Sequence, residues 1–143
     1  MPDKQHEGLK LLKDIRSINK MIEELNLQIK ELYSKMTSTT ITPKEVNVQS
    51  SGNPDPLGDA MAVYVEYEKQ LQDYQLELCK KKMVAIKVIK EMSIDCQTII
   101  ILKYFKGKTI DKISEEIGYS WRWTWEKTHE AEQEFIGIYE KST

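Results

Sequence analysis

The sequence predicts an all-α protein: a long antiparallel helical hairpin of coiled-coil character over residues 1–92, then a small three-helix domain over 93–143 containing a helix-turn-helix. Three observations predict it. Two separate stretches keep an apolar seam at alternating steps of three and four residues. A Pro/Ser/Thr/Asn-rich segment separates them, and a short apolar-striped helix ending at Gly118 leads into a second helix opened by Ser120.

The first seam is Leu11, Ile15, Ile18, Ile22, Leu25, Ile29, Leu32 and Met36. Its spacing predicts a helix from Gln5 to Met36, about 45 Å long at ~1.5 Å per residue. Such a helix cannot cover its own stripe and needs a partner. Residues 37–56 predict a flexible loop, because Pro43, Pro54 and Pro56 exclude helix and small polar residues fill the rest. Val46 and Val48 alternate with polar residues and suggest a short extended piece. The second helix is expected from Pro56 or Leu57 to Met92, with Pro suited to a first helical position. Its seam is Leu57, Ala60, Tyr64, Tyr67, Leu71, Tyr74 and Leu78; it fails at Lys81 and resumes as Ala85, Val88 and Met92. Folding the two helices back on each other places Met36 near Leu57 and Leu11 near Lys82. Tyr64, Tyr67 and Tyr74 then serve packing or a protein interface, since their rings are amphipathic. Self-association into a four-helix arrangement fits the same seams.

In the last segment Ser93 is placed to cap a helix whose apolar residues are Ile99, Ile100, Leu102, Tyr104 and Phe105, closed by Gly107. Thr109 caps the next helix. There Ile110, Ile113 and Ile117 share one face, and Gly118 supplies the positive φ that ends it. Ser120 caps the final helix, whose own seam is Thr124, Thr128, Ala131, Phe135 and Ile138.

Composition narrows the function classes. The chain has 143 residues and a net charge of −2, unevenly spread: residues 80–112 hold nine lysines against three acids, whereas 113–143 hold three basic residues against seven acids. A basic block suits phosphate, and the acidic tail opposes it. No apolar run approaches the ~20 residues of a membrane span, and the N-terminus lacks a signal-peptide core. Cys79 and Cys96 fit no metal spacing and read as reduced thiols, so a cytoplasmic protein is expected. With no Gly-rich phosphate loop, metal cluster or nucleophile motif, neither enzyme activity, cofactor nor metal is expected.

The stretch Ile100-Ile-Leu-Lys-Tyr-Phe-Lys-Gly-Lys-Thr-Ile-Asp-Lys-Ile-Ser-Glu-Glu-Ile-Gly-Tyr-Ser120 resembles region four of bacterial sigma factors. With the linker ending Val46-Asn-Val-Gln-Ser-Ser and the Asp59-Ala-Met-Ala helix start, the chain is similar to small phage and prophage transcription regulators of the ArpU and RinA type. That resemblance implies a late-gene activator binding double-stranded promoter DNA, host RNA polymerase, or both, inside a bacterial host cell. Carried over by position, DNA contacts fall on Ser120, Trp121, Arg122, Trp123, Trp125 and Glu126 of the last helix. Lys106, Lys108, Thr109 and Lys112 before it hold phosphates and register. The last helix departs from the pattern where Trp123 and Trp125 replace basic residues and where Lys127 and Glu132 replace apolar ones. Trp123 and Trp125 therefore also read as a protein interface. Two alternatives follow: a sigma mimic that occupies polymerase without touching DNA, and a DNA-packaging adaptor like a small terminase subunit.

Overall fold

The computed structural model describes residues 2–38 and 56–142, and all of the regular structure among them is helical. The helices are α1 (Pro2–Ser38), α2 (Pro56–Ile89), α3 (Ile94–Ile100), α4 (Ile110–Ile117) and α5 (Trp121–Ser142), with a π-helical turn at Ile101–Phe105 directly after α3. Residues 39–55, most of the predicted loop together with Val46 and Val48, lie outside the described residues. No described helix is long and apolar enough to cross a membrane.

Packing groups the chain into two units, Met21–Leu76 and Met1–Lys20 with Glu77–Thr143. The first unit pairs the C-terminal half of α1 with the N-terminal part of α2. The rings of Tyr33 and Tyr64 lie 6.4 Å apart, and Met36 lines a shallow groove with Leu57 and Met61, so the two helices run antiparallel in the register the seams predict. Leu25 is buried here, while Ile22, Ile29, Leu32, Tyr64, Tyr67, Leu71 and Tyr74 are half-buried. Two helices alone cover a seam incompletely.

The second unit holds the dense core. Leu12, Ile15 and Ile18 of α1 are buried in it with Leu78, Ala85, Val88 and Ile89 of α2. Cys96, Ile99, Ile100, Tyr104 and Ile113 complete it with Thr124, Thr128, Ala131, Phe135 and Ile136 of α5. Leu12 is off the predicted seam. A neighbouring face of α1, running through Gly8, Leu12 and Asn19, meets the C-terminal helices: a Cβ added at Gly8 would lie 3.3 Å from Tyr139, and Asn19 Nδ2 donates to the Phe105 carbonyl at 2.9 Å. The start of α1 therefore packs on two sides. Asp14 also meets Lys81 of α2 at 3.5 Å, close to the expected pairing of Leu11 with Lys82.

The caps follow the sequence with one correction. Thr109 accepts from the Lys112 amide at 3.3 Å, Gly118 is left-handed at φ 78°, and Ser120 accepts from the Trp123 amide at 3.1 Å. Ser93 occupies the predicted capping position, but its hydroxyl takes no helix amide. Glu134 of α5 claims it instead, accepting from the Ser93 amide at 2.8 Å and from the hydroxyl at 3.4 Å. A carboxylate outcompetes a weak cap.

Because all three tryptophans lie in α5, their fluorescence reports that helix alone. Leu12→Ala is expected to cost about 2–5 kcal/mol, the range for emptying a buried leucine site, and to lower the tryptophan-detected urea midpoint. An unchanged midpoint would show that α1 is not part of that core.

Candidate nucleic-acid interface

The first turns of α5 are exposed because its small residues face inward. Thr124 and Thr128 are buried, and each hydroxyl donates to the carbonyl four residues back, Ser120 at 2.8 Å and Thr124 at 2.7 Å. That leaves their methyl sides to the core with no orphaned polar atom. The predicted seam holds through Phe135, after which Ile136 is buried and Ile138 only partly so.

Neither Trp123 nor Trp125 enters the core. Trp121 and Trp125 are exposed and stack with centroids 6.4 Å apart at 15°, and His129 meets the Trp125 ring edge-on at 4.3 Å. Trp123 lies on another side of the helix, stacked on Tyr119 at 4.1 Å and 22°, with Lys127 Nζ 5.9 Å above its ring. Lys127 thus covers an indole with its alkyl stem and ammonium. Between the two aromatic ladders lies the pair Arg122–Glu126, 3.4 Å apart, with side chains 87% and 60% exposed.

The other sequence-predicted contacts divide by role. Lys106 and Lys112 are exposed. Lys108 is held by Glu116 at 2.6 Å. The hydroxyls of Thr109 and Ser120 are engaged in capping, so these two residues shape the interface by ending the turns. Tyr64, Tyr67 and Tyr74 belong to the other unit and are half-buried along its seam.

Sequence reasoning missed Tyr119, although it begins an i, i+4 ladder with Trp123 and was legible by spacing. It also gave Glu132 no role. Glu132 Oε2 accepts from Lys103 Nζ at 2.7 Å and from the Tyr104 hydroxyl at 2.5 Å, and its other oxygen lies 3.9 Å from His129 Nδ1. This largely buried carboxylate ties α5 to the π-helical turn after α3 through charge-assisted bonds. Among the described residues no group of three or more His, Cys, Asp or Glu is placed to hold a metal ion.

Burial, reinforced by the bond to Glu132 and its charge, drives the Tyr104 hydroxyl well above its ordinary value of 10.0. A raised folded value means stability is fully present below pH ~10 and is lost as pH rises beyond it, where only the unfolded chain ionises freely. Tyr104→Phe is expected to lower the denaturation midpoint at neutral pH, by about 1 kcal/mol for the lost bond. It is also expected to flatten the alkaline decline. Equal alkaline slopes in the two proteins would assign that decline elsewhere.

Comparison with protein-family models, with curated proteins and with solved structures yields no match to this chain.

Proposed function

We propose that this chain is a DNA-binding transcription regulator of the phage or prophage kind, presenting α5 to the major groove of promoter DNA. The observation that carries the reading is the scaffold Thr109-capped α4, left-handed Gly118 and Ser120-capped α5, which leaves Trp121, Arg122, Trp125 and Glu126 exposed on the first turns of the second helix. A capped two-helix unit of this form suits groove entry with the N-terminal residues of its second helix against base edges. Lys106 and Lys112 are the phosphate contacts in this reading. Lys108 contributes less, because Glu116 already holds it.

Arg122 must leave Glu126 to reach a base. An exposed ion pair of this kind is worth ~0–1 kcal/mol, whereas a bidentate contact to guanine O6 and N7 is worth ~1–3 kcal/mol. The exchange favours DNA. The resemblance to sigma region four supports a role in late-gene activation, with host RNA polymerase as a second partner.

A specific observation favours a second reading. The ladders Trp121–Trp125–His129 and Tyr119–Trp123 give α5 more aromatic than basic surface, and exposed aromatics with a central Arg are the composition of a protein-binding hot spot. In that reading the unit occupies polymerase as a mimic and leaves DNA untouched.

Mobility shift with promoter DNA at low salt separates the two. Binding is expected, with Arg122→Ala costing about 1–3 kcal/mol and relaxing base preference. Lys112→Ala is expected to weaken binding evenly and reduce the salt slope by about one. No shift at low salt, together with polymerase capture that Trp125→Ala abolishes, would establish the second reading instead.

A further inference from the structure

The outward rows of α5 differ in what they offer a groove. Arg122 and Glu126 present charged groups that donate and accept hydrogen bonds. Trp121 and Trp125 stand just over a quarter turn round the helix from them, at ~100° per residue, and present apolar rings with a single N–H donor each. They are 50% and 42% exposed and stack 6.4 Å apart at 15°, so they form one apolar strip along the opening turns of α5. The other ladder is not equivalent. Trp123 is half-buried, lies on Tyr119 at 4.1 Å and has Lys127 Nζ over its ring, so its apolar surface is already covered.

On the floor of a major groove each base pair offers hydrogen-bond donors and acceptors, and one apolar group stands among them, the C5 methyl of thymine. A polar base edge set against an indole face loses its water and gains no bond, which costs free energy. A thymine methyl set against the same face loses no hydrogen bond and gains burial. A phosphate is a poor occupant, because Trp121 and Trp125 bring no cation to meet it.

We propose that Trp121 and Trp125 select thymine, by its methyl group, at base pairs beside the guanine that Arg122 takes. The proposal rests on the DNA-binding reading of α5 and gives the exposed strip a base-selecting role within it. Trp121 adjoins Arg122 in sequence and Trp125 follows it by three residues, so both rings border the side chain that fixes the guanine. The charged row then reads by hydrogen bonds and the aromatic row by shape and burial.

The probe is a pool of randomised DNA duplexes selected on the full chain at low salt. Enriched duplexes are expected to carry thymine beside guanine. Replacing those thymines by uracil removes the methyl and keeps the base pair's hydrogen bonds, and is expected to weaken binding about fourfold per methyl, the effect of burying one such carbon. Trp125→Ala, with unchanged far-UV circular dichroism, is expected to bind the thymine and uracil duplexes alike. If that variant loses helicity, Trp121→Ala replaces it in the same comparison. Arg122→Ala is expected to lose the guanine preference and keep the thymine–uracil difference. Enriched duplexes bound equally well with thymine and with uracil, or a helical tryptophan variant that keeps the full difference, overturn the proposal and leave the DNA-binding reading standing. A pool from which nothing binds at low salt overturns both.

Discussion

The helix-turn-helix depends on a helix that begins more than a hundred residues before it. Three helices of some fifty residues bury a small fraction of their surface, a consequence of how surface scales with chain length, so packing on α1 helps them persist. Leu12, Ile15 and Ile18 supply the missing apolar area, and Gly8 allows α1 to approach the Tyr139 ring where any larger residue would crowd it. With α1 in place, α3 and α5 have a floor to pack on. The exposed side of α5 is then free to carry residues that no core would accept.

That freedom is visible in how α5 handles polarity. Its inner face uses threonines whose hydroxyls are absorbed by their own helix. Glu132 sits at the edge of the core, where Lys103 and Tyr104 satisfy it. The outward face stacks aromatic rings in two ladders on either side of an exposed ion pair. Each ring shields its neighbour four residues away, which reduces the apolar surface shown to water while keeping it available to a ligand.

Much of this was legible in the chain because it is local. The seams of α1 and α2 are period-3.5 signals, and their antiparallel register appears in the groove joining Met36 to Leu57. Thr109, Gly118 and Ser120 announce their turns because a hydroxyl cap and a left-handed glycine are matters of a few adjacent atoms. Non-local facts were not legible. Leu12 looked like a flanking residue because nothing in its neighbourhood reveals a second packing face. Ser93 looked like a cap because Glu134, its actual partner, lies 41 residues away. Arg122 and Glu126 lie outside the core, on the side of α5 away from its buried threonines. The sharing of the tryptophans between two ladders emerged only with the fold.

The π-helical turn at Ile101–Phe105 has a consequence for synthesis of the chain. The wider turn bonds Lys106 back to Ile101, and the Phe105 carbonyl is taken by Asn19, 86 residues earlier. At ~5–20 residues per second, that separation is roughly 4–20 s of translation. Throughout that interval the second apolar face of α1 waits for residues not yet made. A nascent chain stopped before α5 lacks Phe135 and Ile136 of this core and presents an open seam to whatever binds unfolded protein.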